Sequence, residues 1–310
     1  MSAIVEVVLP VFAIMLAGYL GGRFGLLGQP SSEALNRFVY FAALPALFFI
    51  SMARVELGEA FNLPFLSAYA GGVVITAVIA VLLARFAFPN SLGGLTLHGL
   101  SATFANVGYL GIPLLLTAYG EAATLPAIVA TVFSGTVMMG IGIALLELSE
   151  GLGKGPLAMF QKVLLGIVRS PLVVAAAIGI AVSLSGLDVP TPLATFCDIL
   201  GAAAAPCALF AIGLFMVGKS FTAGAGEVSW LVLLKLIVQP LVTWWLATRV
   251  FEMEAIWATS AVILAALPTA ALVFVLAQQY GVYIQRSTAA IMVSTVLSVL
   301  TLSVLFPLLG

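Results

Sequence analysis

Two matched stretches of the sequence decide the fold. They read LHGLSATFANVGYLGIPLLLTAYG (residues 97–120) and IWATSAVILAALPTAALVFVLAQQYG (residues 256–281). The first holds Asn106 near its middle, followed by Pro113, and the second holds Pro268 near its middle. Proline lacks a backbone N–H and collides with the carbonyl group four residues earlier, so it interrupts a helix. Matched breaks in two membrane-spanning helices free backbone groups at mid-membrane and predict a transport site there.

The rest of the chain has the composition of a membrane protein. Of its 310 residues, 63% are hydrophobic and 7% are charged, and the mean hydropathy is +1.25. A soluble domain is about half apolar and about one-quarter charged. The 11 basic residues are balanced by 12 acidic ones, so no basic surface is available for nucleic acid. Two cysteines and one histidine supply too few ligands for a zinc site, and we expect no cofactor.

Apolar runs bounded by charges or turn residues predict an all-α polytopic membrane protein with ten transmembrane helices. Each run is long enough to cross the hydrocarbon core, which needs about 20 residues. Membrane helices tolerate the glycine and proline residues found within these runs. The predicted spans are residues 3–22, 35–53, 64–87, 95–118, 124–146, 167–186, 194–217, 229–249, 256–278 and 287–308.

A shift of 161 residues, without gaps, aligns the two halves of the chain. It superimposes four pairs of identical residues: Pro10 on Pro171, Gly18 on Gly179, Pro45 on Pro206, and Phe49 on Phe210. Each half holds five predicted spans, so the second unit is inverted relative to the first, as in many secondary transporters. The predicted units are residues 1–148 and 163–310, joined by a short hydrophilic linker at 149–162.

The distribution of Lys and Arg predicts the orientation in the membrane. Only Arg54 and Arg249 fall on one side of the predicted spans. The other nine basic residues fall on the opposite side: Arg23, Arg37, Arg85, Lys154, Lys162, Arg169, Lys219, Lys235 and Arg286. The positive-inside rule places those nine in the cytoplasm, so the linker is cytoplasmic and both termini face outward.

The predicted binding site is built around the two breaks. A helix that restarts after a break points its partially positive N-terminus at the middle of the membrane, where it can hold an anion without a full charge. We expect an anionic group of the substrate to bind the Asn106 amide and nearby backbone N–H groups, with Pro113 and Pro268 as crossover hinges. The candidate residues are Asn106, Val107, Gly108, Gly111, Pro113, Pro268, Thr269 and Ala270.

Five segments, taken in order, resemble the auxin efflux carrier (PIN-like) family. They cover both halves of the chain and match that family's second helix, fourth-helix crossover, second-repeat start, seventh helix and ninth helix. In this sequence they read LNRFVYFAALPALFFIS (35–51), NVGYLGIPLLLTAYG (106–120), RSP (169–171), LFAIGLFM (209–216) and AALPTAALVFVLAQQYGVY (265–283).

The resemblance implies how the helices are organised. Helices four and nine cross, helices 1, 2, 6 and 7 form a scaffold, and helices 3–5 and 8–10 form a transport domain that moves like an elevator. It also implies a homodimer in the lipid bilayer. Ser134 and Ser170 stand where the family has a Gln and an Asn, and they complete the candidate site.

The family moves organic anions, so the resemblance implies a secondary transporter of small carboxylates. Tyr69 and Val73 replace the polar Asp and Lys of the family's third helix. This departure favours a prokaryotic member, in the bacterial inner membrane, over a carrier of auxin itself. Malonate-like, malate-like and auxin-like anions are the candidate substrates.

Two other kinds of protein were weighed against this prediction. One is a sodium-coupled symporter of the bile-acid type, in which freed carbonyls and the hydroxyls of Thr103, Thr131, Ser294 and Ser298 would bind Na⁺. The other is an enzyme, which needs a nucleophile with a base or a set of metal ligands. No predicted span has Asp, Glu or His at its centre, so the sequence predicts that the protein is not an enzyme.

Overall fold

The computed structural model describes residues 9–54, 62–88, 91–150, 171–218 and 224–309. These residues are mostly helical and include no strand longer than an isolated bridge. Six helical runs within them are long and apolar enough to cross a membrane: Gln29–Ala53, Leu63–Ala87, Val107–Phe133, Thr191–Met216, Ala225–Val250 and Ile284–Leu309. Four shorter apolar helices accompany them: Leu9–Arg23, Met139–Ser149, Pro171–Ser185 and Ala255–Ala266. The chain is a polytopic membrane protein, as its composition predicts.

The helices are numbered here in chain order, with a and b for the two parts of an interrupted helix. They are α1 (Leu9–Arg23), α2 (Gln29–Ala53), α3 (Leu63–Ala87), α4a (Leu92–Thr103), α4b (107–119), α5 (124–149), α6 (Pro171–Ser185), α7 (Thr191–Met216), α8 (Ala225–Val250), α9a (Ala255–Ala266), α9b (Leu272–Gln279) and α10 (Ile284–Leu309).

The predicted spans coincide with these helices apart from shifts at their ends. The largest shift is in α2, which begins at Gln29 rather than at residue 35. The six residues before the predicted start, QPSSEA, are polar enough to fall outside an apolar run, yet Pro30 is well suited to a first helical turn. The predicted starts of spans one and six, at residues 3–8 and 167–170, lie outside the described residues.

Most helix–helix packing falls within two groups. Group A consists of α1, α2, α6 and α7, in which α1 packs along α7 and α6 packs along α2. Arg54 at the end of α2 also donates two hydrogen bonds, of 3.0 and 2.8 Å, to the Asp198 carboxylate of α7. Group B consists of α3, α4a, α5, α8, α9a and α10. The groups meet mainly where α4b and α5 contact α7 and α2.

Two helices are interrupted within the bundle. Break 4 comprises residues 104–106, between α4a and α4b, and break 9 comprises residues 267–271, between α9a and α9b. Five-residue π-helical turns also occur at Val107–Gly111 directly after break 4, at Ser134–Met138 in α5 and at Leu234–Val238 in α8. Such turns widen the helix and are frequent at functional sites.

Candidate functional site

The two breaks cross and bind each other through their backbones. The N–H of Asn106 donates to the carbonyl of Pro268 at 2.9 Å, and the N–H of Ala270 donates to the carbonyl of Phe104 at 2.9 Å. These two bonds form an antiparallel bridge centred on Ala105 and Thr269. Backbone groups that the interrupted helices leave unpaired thus find partners inside the protein, as the apolar interior requires.

The bridge does not satisfy the first N–H groups of the restarted helices. Within the described residues, the N–H groups of Gly108 and Tyr109 at the start of α4b have no acceptor. The same holds for the N–H groups of Ala271 and Leu272 at the start of α9b. A helix carries roughly half a positive charge at such an end. Two partially positive helix ends therefore lie together at the crossing.

A cavity of about 340 Å³ lies against these helix ends. It is enclosed by α2, α6 and α7 of group A and by α4b, α5 and α9b, and all four residues with free N–H groups line it. Its polar side chains include Asn36, Tyr40, Asn106, Thr131 and Ser134, and no Asp, Glu, Lys, Arg or His lines it. The volume is in the range of small-molecule sites, and the only positive potential offered by its described walls is partial.

Asn106 combines burial with an unused side chain. Its exposed fraction is 5%, and it lies in the cavity wall next to the free N–H groups. Its backbone carbonyl accepts from Leu110 and Gly111, each at 3.1 Å, but its side-chain amide makes no hydrogen bond to any described residue. Buried polar groups nearly always have partners. An amide without one, facing a cavity, points to a ligand.

The predicted site residues divide into three sets. Five line the cavity: Asn106, Val107, Gly108, Ser134 and Ala270. Four are buried near the breaks and do not line the described cavity: Gly111, Pro113, Pro268 and Thr269. Ser170 lies outside the described residues. Cavity residues that sequence reasoning missed include Asn36 and Tyr40 of α2, whose polar side chains occur in a segment valued only for its resemblance.

Pro113, which the sequence predicts to be a crossover hinge, lies outside break 4. Break 4 ends at Asn106, whereas Pro113 lies seven residues further on, inside α4b. The π-helical turn Val107–Gly111 directly precedes Ile112–Tyr119 and gives the proline ring the room that a regular helix would deny it. Pro268 does lie within a break.

The hydroxyls considered as sodium ligands make ordinary bonds within their own helices. Each donates to a carbonyl three or four residues earlier: Thr103 to Gly99, Thr131 to Ala127, Ser294 to Ile291 and Ser298 to Thr295. This is how Ser and Thr usually behave in helices. Ser294 alone of the four also contacts a break, because its Oγ accepts the N–H of Thr269 at 3.1 Å.

Lys235 is a functional candidate that the distribution of charges does not reveal. It lies ten residues into α8, or about 15 Å along the helix, and its side chain is fully buried, so it is not one of the cytoplasmic charges. Its Nζ donates to the carbonyl of Ala265 at 2.6 Å and to the Oε1 of Gln239 at 2.7 Å. The Nε2 of Gln239 in turn donates to the carbonyl of Thr103 at 3.1 Å. Lys235 therefore belongs to the crossing, and eight basic residues support the predicted orientation against two.

A second buried polar cluster lies away from the cavity, where α4a, α8 and α10 meet. His98 Nδ1 is 2.9 Å from the Glu227 carboxylate, and Arg286 binds the same carboxylate at 3.1 Å. The hydroxyl of Tyr283, just before α10, also donates to Glu227. Burial and the neighbouring carboxylate raise the pKa of Tyr283, so the phenol stays protonated as a donor. This cluster ties three helices of group B together.

The sequence is similar to those of proteins named as membrane transporters. A family model described as "Membrane transport protein" (Mem_trans) matches residues 3–306. The chain is 31% identical, over 98% of its length and 95% of the relative's, to a protein of Rhizobium meliloti (strain 1021) named "Putative malonate transporter". It is 26% identical to "Uncharacterized transporter YfdV" of Escherichia coli (strain K12), over 94% of this chain and 93% of that one.

One relative of this chain is an auxin efflux carrier. Auxin efflux carrier component 3 of Arabidopsis thaliana is 31% identical over 140 residues, which are 44% of this chain and 20% of that protein. The two nearly end-to-end relatives are named as transporters. The chain belongs to the Mem_trans family of membrane transport proteins, which includes the auxin efflux carriers, and it is a transporter rather than an enzyme.

Proposed function

We propose that this chain is a secondary transporter of small organic anions and that it binds the substrate carboxylate where break 4 crosses break 9. One observation carries the proposal: four N–H groups without an acceptor among the described residues, and the Asn106 amide, face one cavity. Helix N-termini of this kind bind anions without a full positive charge. The name of the Rhizobium relative supports a carboxylate substrate.

We propose further that residues 1–148 and 163–310 form two inverted five-helix repeats joined by the linker at 149–162, of which residues 151–162 lie outside the described residues. The matched breaks in α4 and α9 support this organisation. Group A corresponds to the scaffold and group B, with α4b and α9b, to the transport domain. The scaffold would also carry the contacts of a homodimer.

The position of the cavity between the two groups supports alternating access by an elevator-type movement. When group B slides along group A, the crossing moves with it and meets a different part of the scaffold. In this structure the scaffold lining includes Asn36 near the start of α2, Leu172 at the start of α6 and Phe215 near the end of α7. These ends lie on the side with most basic residues, which supports access to the cavity from the cytoplasm in this structure.

Binding measurements on the purified protein test the proposed substrate class. We expect calorimetry to detect binding of malonate, malate or indole-3-acetate and no binding of malonamide, which matches malonate in size but has no charge. Charge-assisted hydrogen bonds to the free N–H groups give the carboxylate its advantage. If the amide binds as well as the acid, or if no small carboxylate binds, the proposal is wrong.

The expected topology in the bacterial inner membrane gives a separate prediction. In a protein without Cys197 and Cys207, a cysteine replacing Lys154 should react with an impermeant maleimide only after the cells are opened, because positive loops stay in the cytoplasm. A cysteine replacing Glu121, between α4b and α5, should react in intact cells. Labelling of the Lys154 position from outside would reverse the proposed orientation.

Sodium coupling of the bile-acid type is the second candidate mechanism. The hydroxyl of Ser294 beside break 9 is its main support, since this oxygen and the nearby carbonyls are the kind of ligands that Na⁺ uses. The buried ammonium group of Lys235 at the same crossing argues against it.

A further inference from the structure

Four half-helices end or begin at the crossing, and their partial charges can be counted. The C-termini of α4a and α9a each carry roughly half a negative charge, and the N-termini of α4b and α9b each carry roughly half a positive charge. The positive ends face the cavity. The two negative ends, together about one negative charge, lie on the other side of the bridge and need a partner of their own.

Lys235 and Gln239 contact both negative ends. The Nζ of Lys235 donates to the carbonyl of Ala265, in the last turn of α9a, and to the side chain of Gln239. The amide of Gln239 in turn donates to the carbonyl of Thr103, the last residue of α4a. The hydroxyl of Thr269 adds a third bond to the end of α4a by donating to the carbonyl of Ser101 at 2.7 Å. Both bonds of the Lys235 Nζ are short, at 2.7 and 2.6 Å, as charge-assisted hydrogen bonds are.

The described residues offer Lys235 no carboxylate. Its side chain is fully buried, and the two partners of its Nζ are a backbone carbonyl and a neutral side-chain amide. An ammonium ion buried without compensation is very unfavourable. The partial charges at the two helix ends are therefore the compensation that the structure provides.

We propose that Lys235 is protonated and serves as a built-in counter-cation of the crossing, in the place that a coupling Na⁺ would otherwise take. Main-chain and amide oxygens are the ligands that a hard cation uses, and two such oxygens here already bind the ammonium group. A sodium ion at the same helix ends would meet a like charge. The carrier then binds its substrate and keeps its fold without Na⁺.

The same count has a consequence for the substrate, which rests on the proposed function. With the negative ends neutralised by Lys235, the cavity faces about one unit of positive charge, and no charged side chain lines its described walls. This charge balances one carboxylate of the substrate, and a second carboxylate would remain without a balancing charge. A dicarboxylic acid such as malonate should enter as its singly ionised form.

Thermal unfolding of the purified protein tests the role of Lys235 without any substrate. At equal ionic strength, the wild-type midpoint should be the same in sodium chloride and in choline chloride. Lys235→Met keeps the volume without the charge and should lower the midpoint by roughly 5 °C or more in both salts, because the helix ends lose their partner. Lys235→Ser opens space beside the same oxygens, where Na⁺ can bind and the larger choline cannot. The unfolding midpoint of this variant should therefore be higher in sodium chloride than in choline chloride.

Arg249→Ser is the matched control, since it removes a positive charge from the exposed end of the same helix. It should change neither the midpoint nor its response to sodium. A wild-type protein that sodium stabilises over choline, or a Lys235→Met protein as stable as wild type, overturns the proposal. Both outcomes can be read even if Lys235→Ser fails to fold.

Measuring the affinities of a monocarboxylate and a dicarboxylate at several pH values tests the charge count. Propionate affinity should be constant between pH 6 and 8, whereas malonate affinity should fall about tenfold per pH unit once its second carboxyl group ionises, because the bound form becomes rare. Malonate affinity that stays constant over this range contradicts the charge count. If neither acid binds, the proposed function fails, while the sodium experiment still decides the role of Lys235.

Discussion

Asn106→Ala should weaken binding of the substrate carboxylate roughly tenfold to a hundredfold. The Asn106 amide lies in the cavity wall, 5% exposed, and has no partner among the described residues. A hydrogen bond from an amide to a carboxylate contributes about 1.5–3 kcal/mol, which corresponds to this range. Its backbone bonds to Pro268, Leu110 and Gly111 do not involve the side chain, so the fold should survive. Calorimetry with the carboxylate that binds wild type best measures the effect.

Two further variants make the result specific. Asn106→Asp should bind more weakly than Asn106→Ala, because it places a like charge, or a group that must first take up a proton, beside the substrate. Asn36→Ala is the matched control: it removes an amide from the opposite wall of the same cavity, on α2 of group A. We expect a smaller loss there. If both Asn106 variants keep wild-type affinity, the carboxylate does not bind at the crossing.

The sequence predicts those features of the site that are caused by residues close together along the chain. Pro268 interrupts its own helix, so break 9 was predictable from one residue. Break 4 lies at 104–106, well before Pro113, and its bonds are to Pro268 and Ala270 of the other break. Residues that pair across about 160 positions of sequence leave no local mark. Asn106 was found because an amide in an apolar run is itself a signal.

Lys235 shows the limit of counting charges. The positive-inside rule applies to residues near the ends of spans, and it gives no weight to where a side chain points. Lys235 and Gln239 are four residues apart in the run LVLLKLIVQPLV, so they share one helix face. A lysine and an amide on one face of an otherwise apolar span are unusual, and intramembrane charges generally mark function. That pattern was available in the sequence.

The repeat offset of 161 residues also relates two helix–helix contacts in the structure. Gly18 and Gly179 correspond under this shift, and so do Phe49 and Phe210. In the structure, Gly18 of α1 lies against the backbone carbonyl of Phe210 in α7, and Gly179 of α6 lies against the backbone carbonyl of Phe49 in α2. Each half thus packs its glycine against the matching phenylalanine of the other half, and this reciprocal contact supports the proposed inverted repeat.

Gly18→Ala and Gly179→Ala should therefore each destabilise the protein, and to a similar extent. At either position a Cβ atom would lie no more than 2.5 Å from the facing carbonyl oxygen, well short of the van der Waals contact distance, and that oxygen belongs to helix backbone. The helices would have to separate, and overpacking of this kind costs about 1–3 kcal/mol or more. Thermal unfolding should show a midpoint lower by roughly 3–10 °C for each variant.

Gly21→Ala is the matched control for these two variants. It adds a methyl group to α1 at a position where no backbone atom of another helix is close. Gly21 lies on the same helix, three residues from Gly18, and a Cβ there would meet the ring of Phe210 at an ordinary 3.5 Å. We expect its midpoint to equal that of wild type. Equal stability of all three variants would show that the pairs do not depend on glycine. A large effect at Gly18 with none at Gly179 would contradict the symmetry, because inverted repeats place both glycines in equivalent contacts within the scaffold.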